Sequence, residues 1–132
     1  KVIDTTDSWT YNSSTWRQTN GASGNKVEYV CGISEACASA KSYLVVYKTG
    51  GNGGASTAIG IDSTSTTSGI WTQGYTGGSE MTFVVSAEYS GFPGIGYHYF
   101  AWLEATTGAT MTIQGDNGGT ALQTGLNAQV FA

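Results

Sequence analysis

Residues 80–114 constrain the fold most strongly, because their side chains alternate in character over two long runs. EMTFVVSAEY and YHYFAWLEATTGATMTIQ both show the period of two that is typical of a β-strand rather than a helix. Between them lies SGFPGIG, whose glycines and single proline interrupt the pattern. The stretch therefore predicts a meander of antiparallel strands, around which the rest of the chain is expected to be built.

The whole chain reads as one all-β domain spanning residues 1–132. Four Trp, eight Tyr and four Phe require a core, although only 11% of residues are charged and 20 are glycine. Strand-like segments separated by turn residues predict a compact antiparallel β-sandwich or an irregular β-barrel of about nine strands. At most one short helical turn is expected, at residues 34–40 with Ser34 as its cap. Residues 50–54, GGNGG, are expected to form a hairpin connection, and residues 74–79, GYTGGS, a loop.

Two other segments carry expectations about burial. Residues 26–31, KVEYVC, alternate in character and predict a half-buried strand whose Val27, Tyr29 and Cys31 point inward. Residues 41–49, KSYLVVYKT, have apolar groups on both faces, which predicts a central strand covered on both sides.

Two hairpins define the predicted meander. If the loop at residues 90–96 closes symmetrically, Glu88 faces His98 on the neighbouring strand. The turn at residues 106–108 places Gly108 where a left-handed residue is needed, which pairs Leu103 with Met111. Both registers put the following residues on one face, expected to be core: Met81, Phe83, Val85, Ala87, Tyr97, Tyr99, Ala101, Leu103, Met111 and Ile113.

The opposite face of the meander is mixed and supplies the candidate binding surface, namely Glu88, His98, Phe100 and Trp102. Either this face packs against a second sheet, or it is an exposed aromatic platform. An exposed platform would suit sugar rings, whose apolar C–H faces stack on aromatic side chains. The exposure of Phe100 and Trp102 distinguishes the two possibilities.

The two cysteines, Cys31 and Cys37, predict one disulfide that closes the short loop CGISEAC. The alternative is a pair of reduced thiols. The chain begins at Lys1, lacks an apolar run of the roughly 20 residues that a membrane span needs, and has few charges, so we expect a mature secreted, extracellular protein. Two cysteines and one distant histidine do not supply a usual metal-ligand set, so no metal site is expected.

The residue pattern favours binding over catalysis. The net charge is −4 and the five basic residues are scattered, which disfavours nucleic acid as a partner. No serine lies in a Gly-x-Ser-x-Gly elbow, and His98 has no evident Asp or Ser partner. Glu88 and Glu104 share a face but lie well apart along the predicted ladder, which disfavours glycoside hydrolysis. We therefore expect no enzyme activity and no cofactor.

The mature length, the richness in Gly, Ser and Thr, and the closely spaced Cys31 and Cys37 resemble the hypersensitive-response-inducing elicitors of plant-pathogenic fungi. These are small secreted all-β proteins. The resemblance implies an extracellular elicitor or effector that a plant cell-surface receptor perceives, and it assigns no functional residue. A second possibility is a carbohydrate-binding module or lectin that uses the aromatic platform, with a cell-wall glycan as its partner.

Overall fold

The computed structural model describes residues 1–119 and 122–131, and these form an all-β molecule. Eleven strands make one antiparallel sheet that curls into a half-barrel, which confirms the predicted class with two more strands than expected. The described residues contain no α-helix, only 3-10 turns at Thr19–Gly21 and Asn117–Gly119. The strands are β1 (Val2–Ile3), β2 (Ser8–Tyr11), β3 (Arg17–Gln18), β4 (Lys26–Cys31), β5 (Ala38–Lys48), β6 (Gly51–Ile61), β7 (Ser68–Gly78), β8 (Met81–Gly91), β9 (Gly96–Gly108), β10 (Met111–Gln114) and β11 (Gly125–Val130).

Five long strands in the order β5, β8, β7, β6, β9 form the middle of the sheet. The outer edge of β5 is shared by β11 and β10, and the outer edge of β9 is shared by β4 and β3. Short strands complete the first side, because β1 pairs with β11 and β2 pairs with β10. Curling brings β4 and β11 from opposite edges into contact.

The sheet opens between β7 and β8. These strands pair directly only where Ile70 meets Glu88 and Trp71 meets Ala87. At the next residue of β7, the side chain of Thr72 makes the hydrogen bonds to β8 in place of the backbone. Its Oγ1 donates to the Ser86 carbonyl at 2.8 Å and accepts from the Ser86 N–H at 3.1 Å. This opening separates a first half (β1, β2, β5, β8, β10, β11) from a second half (β3, β4, β6, β7, β9).

The main core lies between the two halves. Strand β5 was expected to be central with apolar groups on both faces, and this is confirmed, since Leu44 and Val46 are fully buried and Val45 nearly so. The predicted inward face of β4 is confirmed as well, because Cys31 is buried and Tyr29 packs against the core. The buried members of the core are Trp9, Ala38, Ala40, Leu44, Val46, Ala55, Ile59, Val85, Ala87, Phe100, Trp102, Met111, Ile113 and Leu126.

The predicted meander register is wrong. Strand β8 pairs with β5 and β7, while β9 pairs with β6, β4 and β3, so Glu88 faces Lys41 and not His98. The loop at residues 92–95 leads from one half to the other instead of closing a hairpin. The physical reason lies in β9, whose apolar groups on both faces require a central position, and it takes that position between β6 and β4 rather than beside β8.

The turn after β9 combines a confirmed and a wrong prediction. Gly108 adopts the left-handed conformation as predicted, with φ of 80°. A Cβ on Gly108 would lie 2.5 Å from the Asn52 carbonyl oxygen, so the turn packs against the start of β6. The predicted Leu103 and Met111 pairing is wrong, because β10 continues to β2 and β5 rather than returning along β9.

The predicted core face is only partly correct. Of its ten residues, Met81 and Tyr97 are exposed, and Phe83 and Tyr99 are only partly buried. The face expected to be mixed contributes Phe100, Trp102 and Glu104, which are among the largest fully buried side chains of the described residues. Both faces of β9 are covered because Ala101 and Leu103 form a second cluster beneath Trp16.

Glycines extend strands where turns were predicted. Strand β6 begins within the GGNGG run, and a Cβ on Gly53 would lie 2.5 Å from the end of Met111, so only glycine allows this close packing. Strand β7 continues to Gly78, through residues expected to form a loop. The helical turn predicted at residues 34–40 is absent, since Ser34 lies in a plain turn and β5 begins at Ala38.

Candidate functional site

Phe100 and Trp102 do not form a surface. Both are fully buried, so the exposed aromatic platform is wrong, and the two rings pack between the halves of one curled sheet rather than against a separate second sheet. Phe100 stacks on Tyr29 with ring centroids 4.9 Å apart, and Trp102 Nε1 donates to Thr57 Oγ1 at 3.0 Å. The ring contact and the paired indole N–H identify these residues as core.

The structure separates the other two predicted site residues, Glu88 and His98. Glu88 lies on β8 and forms an exposed ion pair with Lys41. His98 lies on β9, and its Nδ1 is 2.8 Å from Oδ2 of Asp62. The four predicted binding residues therefore occupy three environments: an exposed groove, a polar cluster at one end of the half-barrel, and the core.

The Asp62 and His98 pair is a finding that the sequence pattern did not supply. Asp62 follows β6 in a left-handed conformation, with φ of 50°. Its Oδ1 accepts the backbone N–H of Tyr99 at 2.9 Å while Oδ2 holds His98. Aspartate tolerates this conformation better than most residues, and an Asp directly after a strand was the available signal. The strand-end position brings it to His98 across 36 residues of sequence.

Next to this pair lie two buried polar atoms without a partner among the described residues, Nε2 of His98 and the hydroxyl of Tyr29. The two rings are 5.8 Å apart. Burial raises the pKa of Tyr29, and the neighbouring Cys31 and Asp62 raise it further, so its hydroxyl stays protonated. Most buried polar atoms in proteins are hydrogen-bonded, which makes this cluster unusual.

Glu104 occupies the opposite end of β9 and is fully satisfied. Its Oε2 accepts from Trp9 Nε1 at 2.8 Å, and its Oε1 accepts from Arg17 Nε at 2.9 Å and from the backbone N–H of Asn20 at 3.0 Å. Burial raises the pKa of the carboxyl, while the hydrogen bonds and the Arg17 charge lower it. Both oxygens of Glu104 are therefore occupied by groups of the N-terminal segment.

The predicted disulfide is not formed, since Cys31 and Cys37 are both free thiols. Cys31 ends β4, is buried, and pairs in register with Gly96 of the second half. Cys37 precedes β5 in the first half, with its Sγ 3.7 Å from Ser90 Oγ of β8. The short loop thus spans the two halves, and each thiol packs against its own half.

One end of the half-barrel exposes a set of large apolar side chains. Two loops cross this end between the halves, and the residues flanking them are paired, Cys31 with Gly96 and Ala38 with Gly91. The backbone N–H of Phe131 bonds to the carbonyl of residue 37 in the first loop. We call this region the loop end, and its exposed apolar side chains are Val30, Ile33, Phe92, Ile95, Tyr97 and Phe131.

A groove of about 560 Å³ crosses the solvent-facing side of the first half, with its floor on β11, β5 and β8 and its wall at the start of β7. Glu88 and Lys41 are among its lining residues, and Ile70 is exposed beside Glu88 on the neighbouring strand. We call it the outer groove. Its polar side chains are Ser39, Lys41, Glu88, Ser90, Asn127 and Gln129.

Within residues 1–119 and 122–131, no group of three or more His, Cys, Asp or Glu side chains is placed to hold a metal ion. The described part of the chain also contains no helix that is long and apolar enough to cross a membrane. Comparison with protein-family models, with curated proteins and with solved structures found no match to this chain.

Proposed function

We propose that this protein is a secreted elicitor or effector, perceived at the plant cell surface, that acts by binding rather than by catalysis. Two features support the proposal: the resemblance of the sequence to fungal elicitors, and the apolar loop end. The loop end carries most weight, because it is a physical feature that a binding role would use.

The loop end brings together six of the twelve large apolar side chains that the described residues expose. Phe92 and Ile95 are 68% and 69% exposed, and Ile33, from the neighbouring loop, is 53% exposed. Val30 and Tyr97 are cross-strand partners directly behind these loops, and both are exposed. Clusters of exposed apolar side chains on soluble proteins mark interaction sites, because water contact with such a cluster is unfavourable.

The loops of the loop end are short and anchored at both ends by strand pairing. Cys31 and Ala38 flank the first loop, and Gly91 and Gly96 flank the second. Cys31 pairs with Gly96 and Ala38 pairs with Gly91, so each loop is held at both ends. Anchoring restricts the conformations that binding would otherwise have to order, which favours affinity. The loop end thus has the form of a receptor-binding surface on a rigid scaffold.

Binding is favoured over catalysis by the geometry of the Asp62 and His98 pair. This pair resembles the orienting half of a catalytic triad, in which the second imidazole nitrogen takes the proton. Here that nitrogen, Nε2 of His98, is buried away from solvent, and the adjacent polar group is the protonated hydroxyl of Tyr29. A general base must come within hydrogen-bond reach of its substrate, which this burial prevents in the present conformation.

The test is infiltration of leaves with purified protein at micromolar doses. The variant combines Ile33→Ser, Phe92→Ser and Ile95→Ser, and the matched control combines Val84→Ser and Tyr75→Ser, which remove similarly exposed apolar groups elsewhere. We expect wild type and control to induce a defence response, and the loop-end variant to require a dose roughly tenfold higher, because central apolar contacts dominate binding energy.

Two results would overturn the proposal in different ways. A wild-type protein that induces neither necrosis nor a defence response at these doses is not an elicitor. A loop-end variant as potent as wild type, with the same circular dichroism spectrum, assigns perception to another surface.

A further inference from the structure

We propose that the outer groove is a binding site for a short neutral oligosaccharide. This inference does not depend on the elicitor function, and it places a carbohydrate site on residues different from the buried Phe100 and Trp102. The argument uses the shape of the groove, its charge balance and the chemistry of its lining.

The shape comes from one row of cross-strand neighbours. Asn127 of β11 pairs with Lys41 of β5, Lys41 pairs with Glu88 of β8, and Glu88 pairs with Ile70 of β7. Neighbouring strands lie about 4.8 Å apart, so the row of four spans roughly 14 Å. This length suits an elongated ligand of a few rings, and the volume of about 560 Å³ falls within the usual range of ligand sites.

The charge of the groove is balanced. Lys41 and Glu88 form an ion pair within the groove, and the hydrogen bond that Lys41 donates to Glu88 raises the pKa of Lys41, which keeps the ammonium charged. A balanced pair gives no net attraction to an anion or a cation. Because Lys41 donates to Glu88 Oε1, the other carboxylate oxygen remains as an acceptor beside a further ammonium N–H, a combination that can bind adjacent hydroxyl groups.

The remaining lining adds hydrogen-bonding capacity and one apolar contact. Among the described residues, the side chains of Asn127, Gln129 and Ser39 have no hydrogen-bond partner, so their groups are available to a ligand. Amides and hydroxyls both donate and accept, as sugar hydroxyls do. Ile70 is 79% exposed at the side of the row, where its side chain can contact the apolar C–H face of a ring.

A peptide is a poorer occupant. Peptides bind sheets chiefly by adding a strand to a free edge. The floor strand β5 is paired on both edges along the groove, with β11 and β8, and β8 is paired with β5 throughout and with β7 at Glu88. A ligand on this floor therefore contacts mainly side chains, which favours a hydroxyl-rich molecule over a backbone.

The test is a titration of ¹⁵N-labelled protein with cellotetraose, xylotetraose and chitotetraose, each neutral, and with a tetramer of galacturonic acid as the anionic comparison. We expect at least one neutral tetrasaccharide to cause saturable amide shifts at Lys41, Glu88 and Asn127. The Glu88→Gln variant should bind it roughly tenfold more weakly, because a charged acceptor is lost.

Glu28→Gln is the matched control, since Glu28 is also an exposed carboxylate paired with a lysine, Lys26, but lies on β4. It should bind like wild type. A weak lectin site is expected to have a dissociation constant on the order of 1 mM. The proposal is overturned if no neutral tetrasaccharide binds at about 10 mM, roughly ten times that constant. Shifts confined to another surface, binding of the anionic tetramer alone, or equal affinity of Glu88→Gln and wild type would each overturn it as well.

Discussion

Strand β9 sends four side chains into the half-barrel from one face, and its two ends differ in how their buried polar groups are hydrogen-bonded. Phe100 and Trp102 lie in the middle and are fully buried. At one end Glu104 has every oxygen hydrogen-bonded to the N-terminal segment. At the other, Nε2 of His98 and the hydroxyl of Tyr29 are buried without partners among the described residues. The N-terminal segment covers the first end, and the apolar loop end lies beside the second.

The difference teaches that losing one group should cost more at one end than at the other. Removing a partner of the satisfied buried carboxylate leaves an uncompensated buried charge or donor, which is costly. An unsatisfied buried hydroxyl already costs free energy in the folded state. Proteins retain such a cost mainly where a site has a use for it, which agrees with placing function at the loop end.

The largest expected effect is at the satisfied end. Glu104→Gln places an amide N–H against donors from Trp9, Arg17 or Asn20, so we expect the free energy of unfolding to fall by about 3 kcal/mol. Urea unfolding followed by tryptophan fluorescence measures this. Glu88→Gln is the control, because its exposed ion pair contributes little. If Glu104→Gln were as stable as the control, the contrast between the two ends would be lost.

A smaller change in the free energy of unfolding is expected when one polar group is removed near each end of β9. Trp9→Phe removes the donor to Glu104 and should reduce the free energy of unfolding by about 1 to 3 kcal/mol, part of it from lost packing. Tyr29→Phe removes a hydroxyl with no partner, so stability should be unchanged or should rise by up to about 1 kcal/mol. Urea unfolding of both variants provides the comparison. A clear loss of stability in Tyr29→Phe would show that its hydroxyl does have a partner.

The smallest effect is a pH dependence of the Glu104 end. Burial raises the pKa of this carboxyl above its ordinary value of 4.5 in the folded state. Between 4.5 and the raised pKa the folded state binds the proton more tightly than the unfolded chain, so stability contributed by Glu104 rises as the pH falls through this window. Asp4 behaves oppositely: burial raises the pKa of its carboxyl, but hydrogen bonds from Asn25 and Thr6 outweigh this and lower it, so its contribution is lost at acidic pH.

The pH profile of the stability difference between wild type and Glu104→Gln isolates this contribution, since Asp4 is present in both proteins. The difference should shift in favour of wild type as the pH approaches 4.5. A difference that shifts against wild type over the same window would mean that the ion pair with Arg17 outweighs burial.

Local pattern was sufficient for several features. The inward set of β4 and the two covered faces of β5 followed from alternation, and the left-handed Gly108 followed from turn chemistry. The pairing partners of the strands could not be predicted from local pattern. A strand that is apolar on both faces, such as β9, fits any central position, and the choice depends on residues far away in sequence.

The candidate sites likewise combine features that local sequence indicates with features that depend on residues far away in the sequence. Glu88 was identified correctly as a surface residue, but its partner Lys41 lies 47 residues earlier by the register of β5 with β8. The sequence contained Asp62 without any sign of its contact with His98, since a turn residue brings no pattern of its own. The outer groove and the loop end both combine residues from at least three separate segments, which no local window contains.

The sequence by itself determined that this chain forms β-strands, because the period of two and the dense turn residues are local steric properties. Only the tertiary structure decided which face of β9 is core. Phe100 and Trp102 share their face with Glu104 and His98, a mixture that can lie against solvent or against a second layer of sheet. Pairing of β9 with β6 turned this face inward, and burying the two large rings between the halves favoured that arrangement over an exposed platform.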